Sequence, residues 1–88
     1  MVIFGADSHA LRLLAGKLDE ISGRLASIEG SVNGRVDAMK WTGGDADRFR
    51  SKWSSTSAPS MRDASVVLSE AASAIRGDAQ RQDQVSRA

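Results

Sequence analysis

Apolar residues recur every three or four positions along the first half of the chain. They follow a seven-residue repeat with two apolar positions, occupied by Leu11, Leu14, Leu18, Ile21, Leu25, Ile28, Val32 and Met39. The repeat misses only at Arg35, where Val36 lies beside the gap. This spacing is typical of a long amphipathic helix that packs along one seam. It predicts helix 1 over about residues 7–40.

The start of helix 1 carries capping signals. Asp7 or Ser8 can accept hydrogen bonds from the first free backbone N–H groups, and Ile3 or Phe4 can pack against the first turn. A helix of about 30 residues is about 45 Å long. A rod of that length cannot bury its apolar seam without a second helix.

Three glycines, Gly16, Gly23 and Gly30, recur on the face of helix 1 opposite the seam. Each costs up to about 1 kcal/mol relative to alanine inside a helix. They indicate either a smooth face that another helix approaches closely or a face that contacts solvent. We interpret them as a solvent face.

A second amphipathic stretch follows the two adjacent glycines and predicts helix 2 over about residues 45–80, with Asp45 as its N-cap. Its seam consists of Met61, Ala64 or Ser65, Leu68, Ala71 or Ala72, Ile75 and Ala79. Pro59 removes one helical hydrogen bond and biases Ala58 away from helical angles, which predicts a kink or short break near residues 57–59. Residues 81–88 are polar, lack a seam and are expected to form a flexible tail.

Between the two helices, Trp41-Thr42-Gly43-Gly44 predicts a turn over residues 41–44. Glycine suits such a turn because the residue that closes a helix commonly takes a left-handed conformation. The pattern therefore predicts an all-α chain, one domain over residues 1–88, folded as an antiparallel two-helix hairpin. Trp41 is expected to cover the end of the hairpin. Phe49 and Trp53 extend an aromatic surface along helix 2, as core packing or as a partner contact.

Composition argues against several classes of function. Twelve basic and eleven acidic residues alternate along the chain, so no concentrated basic face for nucleic acid is expected. Cysteine is absent and His9 is the sole histidine, which argues against a metal site or a nucleophile-base pair. We expect no enzyme activity and no cofactor. The apolar start lacks the features of a cleaved signal peptide and no run is long enough for a transmembrane segment, so we expect synthesis as a soluble cytosolic protein.

Taken together, Trp41-Thr42-Gly43 near the middle of the chain, Ala46, Phe49 and Trp53 after it, and a long amphipathic helix on each side resemble the WXG100, or ESAT-6-like, family of type VII secretion proteins. The resemblance covers nearly the whole chain. It implies that two hairpins form a four-helix bundle, as a homodimer or with another WXG100-like protein. It also implies export by the type VII secretion machinery in the folded state, without a cleaved signal peptide.

The chain departs from the family pattern in two places. Members that carry their own export signal have Tyr followed four residues later by Asp or Glu, and this chain has no tyrosine. Ala79 precedes Asp83 at that spacing, and Gln82 precedes Ser86 in a shifted frame. In the family, a member without the signal can travel with a partner that has it. Pro59 lies inside what is usually a continuous helix.

Three classes of function remain. The first is a secreted substrate or co-exported partner that acts by helix pairing. The second is a cytosolic helical-bundle subunit with no role in secretion. The third is a nucleic-acid or membrane-surface binder using Arg48, Arg50, Lys52 and Trp53, which the acidic residues among them disfavour.

Overall fold

The structure, a computed structural model, describes residues 7–87, and over that range it is helical with no β-strand. Helix α1 spans Ser8–Ala38 and helix α2 spans Gly44–Lys52. A π-helical turn, Trp53–Ser57, joins α2 directly to helix α3, Ala58–Arg87. The prediction of an all-α chain with two helical arms is confirmed. The predicted packing of Ile3 or Phe4 on the first turn lies outside the described residues.

Helix α1 begins with the predicted side-chain cap. Asp7 has extended backbone angles, and its Oδ1 accepts a hydrogen bond from the Ala10 N–H at 2.8 Å. The helix ends at Ala38, slightly before the predicted boundary, and Met39 is already extended. Arg35 lies in the last turn, where its positive charge is favoured by the helix dipole.

The connection between the arms depends on one glycine. Gly43 has φ 112° and ψ 178°, a region that is essentially restricted to glycine. It is the N-cap of α2, so the prediction of Asp45 as N-cap is wrong. Asp45 lies in the first turn instead, where the helix dipole favours a carboxylate. The prediction that glycine closes helix 1 is also wrong, because the extended Met39 does so.

Pro59 does not break the second arm. Ala58 keeps helical angles, φ −64° and ψ −45°, so the prediction that proline moves it out of the helical region is wrong. The backbone widens before the proline: the Ala58 N–H donates to the carbonyl of Trp53, five residues earlier. Serine hydroxyls also bond to this stretch, as Ser60 Oγ donates to the Thr56 carbonyl at 2.7 Å. Helix α3 continues to Arg87, past the end near residue 80 that the sequence predicts.

The hairpin is long and thin. Its extents are 66 × 18 × 13 Å and its radius of gyration is 19.4 Å, whereas a compact domain of this length has a radius of about 12 Å. Within the described chain, the buried residues are all small: Ala15, Ser22, Ala46, Ala58, Ala72 and Ala79. The core is therefore a narrow contact between two helices rather than a cluster of large apolar side chains.

Two serines fix the antiparallel register of α1 and α3. Ser22 Oγ donates to the Ser65 carbonyl at 2.8 Å, and Ser65 Oγ donates to the Ser22 carbonyl at 3.0 Å. Ala15 lies seven residues before Ser22, and Ala72 lies seven residues after Ser65. The same register therefore places these two fully buried alanines opposite each other. Close approach of the helices follows from the small side chains.

The outer side of α1 is open. Gly16, Gly23 and Gly30 are all exposed, and a Cβ added at any of them would meet no atom within 4 Å. Within the hairpin, these glycines therefore do not serve a close helix contact.

Candidate functional site

The seven-residue repeat separates the surface of the hairpin into distinct strips. We letter the repeat a to g, with Leu11 and Met61 at position a. Away from the turn, position e then forms a small-residue column between the arms, occupied by Ala15 and Ser22 in α1 and by Ala58, Ser65, Ala72 and Ala79 in α3. Nearer the turn, Glu29 and Val36 occupy position e of α1. Position a lies on one side of this column in each helix. Positions b and d flank the contact on opposite sides.

Ion pairs between the arms lie along one side, which we call the polar edge. Their members occupy positions b and e: Arg12 with Asp83 at 2.7 Å, Arg76 with Asp19 at 2.7 Å, and Arg62 with Glu29 at 2.8 Å. The pairs of Arg12 with Asp83 and of Arg76 with Asp19 are exposed enough that each contributes up to about 1 kcal/mol. Their main consequence is to mark this edge as one that contacts water.

Position d carries apolar residues on the opposite side, which we call the apolar edge. In an antiparallel pair the two helices are traced in opposite senses, so equal repeat positions flank the same side of the contact. The edge therefore combines Leu14, Ile21 and Ile28 of α1 with Ala64 and Ala71 of α3, and Val67 lies beside it at position g. Ile21 is 37% exposed, Leu14 48%, Ile28 50% and Val67 62%. These are large apolar side chains for a solvent-facing strip.

The predicted helix-pairing seam is divided between two environments. The position-a members that lie within the helices are half-buried, and they are Leu11, Leu18, Leu25, Val32, Met61, Leu68 and Ile75. Leu14, Ile21, Ile28 and Met39 are exposed. Sequence reasoning missed Ala15 and Ser22, which the hairpin buries most completely in α1. The signal was present, because small residues also repeat at seven-residue spacing beside the leucines.

The three predicted aromatic residues come together at the turn end of the hairpin, as an aromatic cluster of Trp41, Phe49 and Trp53. The Trp41 and Phe49 ring centroids are 5.9 Å apart, and those of Phe49 and Trp53 are 6.3 Å apart with nearly parallel planes. Arg50 lies 5.9 Å from the Trp41 ring centroid, and its Nη1 donates to the Trp41 carbonyl at 2.8 Å. Such cation-π and backbone contacts hold the loop against α2.

The aromatic cluster is anchored to α1 by Asn33, which sequence reasoning missed. Trp53 Nε1 donates to Asn33 Oδ1 at 2.6 Å, and Asn33 Nδ2 donates to Glu29 Oε2 at 2.7 Å. Glu29 in turn accepts from Arg62. The signal for this site is weak: an asparagine inside a helix, beside the seam, where its helix propensity is poor.

Trp41 is only partly covered by this cluster. It is 36% exposed, and with Met39 and Lys40 it lines a shallow groove of about 370 Å³ on the loop. Gly43 shapes the loop through its backbone angles, whereas Gly44 has a helical conformation and an added Cβ there would lie 3.6 Å from Arg48 Nη1.

His9 and the carboxylates that pair with arginines lie at separate places along the hairpin. His9 is exposed in the first turn of α1. Asp19 pairs with Arg76, and Asp45 pairs with Arg48. Among residues 7–87, no group of three or more His, Cys, Asp or Glu side chains is arranged to hold a metal ion.

None of the helices in the described part of the chain has the length and apolar character to cross a bilayer.

The chain matches no protein-family model, no curated protein and no solved structure.

Proposed function

We propose that this chain is a non-enzymatic, WXG100-like helical hairpin, a secreted substrate or co-exported partner of a type VII secretion system, and that it acts by helix-helix dimerisation. The partner is a second copy or another WXG100-like protein, and the product is a four-helix bundle. One observation carries the dimerisation step of the proposal: the apolar edge presents Leu14, Ile21 and Ile28 to solvent at seven-residue spacing. Repeats of this kind are the contact surface of paired helices. The secretion step is supported by the resemblance of Trp41-Thr42-Gly43 and its flanking helices to the WXG100 family.

The exposed surface of the single chain supports the need for a partner. Its accessible area is 6135 Å², whereas a compact monomer of 9.4 kDa exposes about 5,000 Å². Complete burial of a leucine or isoleucine side chain contributes about 1.5 to 3 kcal/mol. Covering three such side chains that are already about half covered would contribute on the order of 2 to 4 kcal/mol per chain. Dimerisation recovers stability that a thin hairpin cannot obtain internally.

Solution mass tests the dimerisation step. Light scattering over a range of concentrations is expected to give twice the chain mass, either alone or after a WXG100-like partner is added. The double variant Ile21→Ser, Ile28→Ser is expected to remain helical and to lose this species. Leu13→Ser with Val66→Ser is the matched control, because both side chains are exposed but lie away from position d. Equal association of the two double variants would refute the assignment of the interface.

Export is a separate step with its own test. Secretion is expected to place the folded chain in the culture medium only when the type VII ATPase is active. The alternative function is a cytosolic helical-bundle subunit with no role in secretion, and the absence of tyrosine, hence of the Tyr-x-x-x-Asp/Glu signal, favours it. A dimer that stays inside cells with an active secretion system, even with its partner co-expressed, would establish the alternative.

A further inference from the structure

The inward-facing residues of the second arm change phase at the π-helical turn. In α3 the residues at positions a and e face α1: Ala58, Ser65 and Ala72 at position e, and Met61 and Leu68 at position a. If a regular helix continued this repeat backwards, Asp47, Ser51 and Ser54 would face inward. All three are exposed. The covered residues are instead each one position earlier: Ala46 is buried, and Arg50 and Trp53 are half-buried.

We propose that the turn Trp53–Ser57 is a one-residue phase shifter that builds the aromatic cluster. A π-helical turn accommodates one more residue than an α-helical turn, and the bond from Ala58 to Trp53 spans that extra residue. One residue corresponds to a rotation of about 100° around the helix axis. The turn therefore rotates α2 relative to α3, so that Trp53 reaches Asn33 while Ala58 remains buried between the arms.

Burial on both sides of the turn fixes its position. On the α2 side, the Trp53 indole is hydrogen-bonded to Asn33 and stacked on Phe49. On the α3 side, Ala58 is 2% exposed. Because neither end can rotate without losing these contacts, the extra residue is absorbed between them. The local sequence tolerates this, since Ser55 Oγ donates to the Ser51 carbonyl at 2.7 Å.

A competing explanation assigns the turn to Pro59 alone. In a regular helix the proline ring clashes with the carbonyl four residues earlier, so a widened turn relieves the clash whatever the phase of α2. The two explanations differ for Pro59→Ala, which keeps every residue of the turn. Simple relief of the clash predicts that the turn then closes to a regular helix, which rotates α2 by about 100° and separates Trp53 from Asn33. Phase shifting predicts that the contacts on both sides keep the turn wide, and that deleting one residue of the turn as well gives a regular helix with every inward residue retained.

The experiment uses three full-length variants. Pro59→Ala is the parent, and the other two add deletion of Ser55, in the π-helical turn, or of Ser69, which is exposed in the regular part of α3. Thermal unfolding is followed by circular dichroism, and the Trp53 indole N–H is followed by NMR and assigned with Trp41→Phe. Asn33→Ala supplies the indole shift of a chain without the hydrogen bond.

We expect the parent and the Ser55 deletion to keep the wild-type Trp53 indole shift and to melt within a few degrees of each other. The Ser69 deletion is expected to lose cooperative melting, because no wide turn absorbs the resulting rotation of α3. Loss of the Trp53 indole shift in the Ser55 deletion, or in the Pro59→Ala parent, would overturn the proposal. Melting of the Ser55 deletion as low as that of the Ser69 deletion would do the same. These outcomes concern the hairpin itself and do not depend on export.

Discussion

Replacing Ala15 by leucine tests the small-residue column directly. Ala15 is 0% exposed, and the antiparallel register places it opposite Ala72, which is also 0% exposed. Leucine is a better seam residue by the usual pattern and ranks just below alanine as a helix former. A sequence pattern alone would therefore predict little harm. The structure predicts destabilisation, because the contact has no room for three more carbon atoms.

The loss of stability in Ala15→Leu can be estimated from the cost of overpacking a close contact. Extra carbons in a closely packed contact force side chains off their preferred rotamers or move the backbone, at about 1 to 3 kcal/mol. For a chain of this size each 1 kcal/mol lowers the melting temperature by about 4 to 8 °C. Part of the lost stability is expected to come from Ser22, because helices forced apart at Ala15 would stretch the hydrogen bonds between Ser22 and Ser65.

The assay is urea unfolding followed by circular dichroism, at one fixed protein concentration because any association changes the apparent stability. Ala26→Leu is the matched control, since Ala26 is exposed in the same helix. Ala15→Leu is expected to be less stable than this control by about 1 to 3 kcal/mol. Equal stability of the two variants would refute close packing along the column.

Three further predictions concern the turn end of the hairpin. Gly43→Ala is expected to lower the free energy of unfolding by about 1 to 3 kcal/mol, because the backbone angles at this position suit only glycine. Gly44→Ala is expected to leave the free energy of unfolding unchanged or to raise it by up to about 1 kcal/mol. Thermal melts that rank the two variants in the opposite order would contradict this account of the loop. Asn33→Ala removes the hydrogen-bond acceptor of the Trp53 indole N–H. It is expected to lower the free energy of unfolding by about 0.5 to 1.5 kcal/mol and to shift the indole N–H resonance. An unchanged resonance would exclude this hydrogen bond in solution. Trp41→Ala is expected to keep most of the helical circular dichroism signal but to loosen the loop. The lost ring contact with Phe49 is expected to lower the free energy of unfolding by about 0.5 to 1.5 kcal/mol. Unchanged melting, dimerisation and export would show that Trp41 has no special role.

The regular features of the hairpin were accessible from the sequence because they repeat. The leucine spacing predicts α1, Asp7 is a strong capping residue, and the adjacent glycines mark the reversal of the chain. The spacing could not decide which face of the helix is buried against the second arm. Leucines and small residues alternate on neighbouring positions, and only the packed pair shows that Ala15 and Ser22 lie inside while Leu14 lies outside.

The second arm differs from expectation where a local preference and tertiary contacts compete. The intrinsic tendency of Pro59 is to end or bend a helix. Tertiary contacts on each side, Trp53 with Asn33 and Ser65 with Ser22, instead keep the arm helical through a wider turn. Side-chain contacts this distant in sequence cannot be read from a local pattern. The same reason explains why Asn33 and Arg50 were missed as partners of the tryptophans.

The exposed glycines of α1 have a consequence for how the molecule opens. Gly16, Gly23 and Gly30 together make α1 about 3 kcal/mol less favourable than an alanine-substituted helix. Alone, such a segment would be mainly random coil, since isolated helices depend on propensity. Its backbone order is therefore coupled to docking of α3, and amide protons in the middle of α1 should exchange through one shared opening rather than by separate fraying. Alanine at these three positions would uncouple helix formation in α1 from docking of α3. Helix α1 would then remain helical even when the two arms separate.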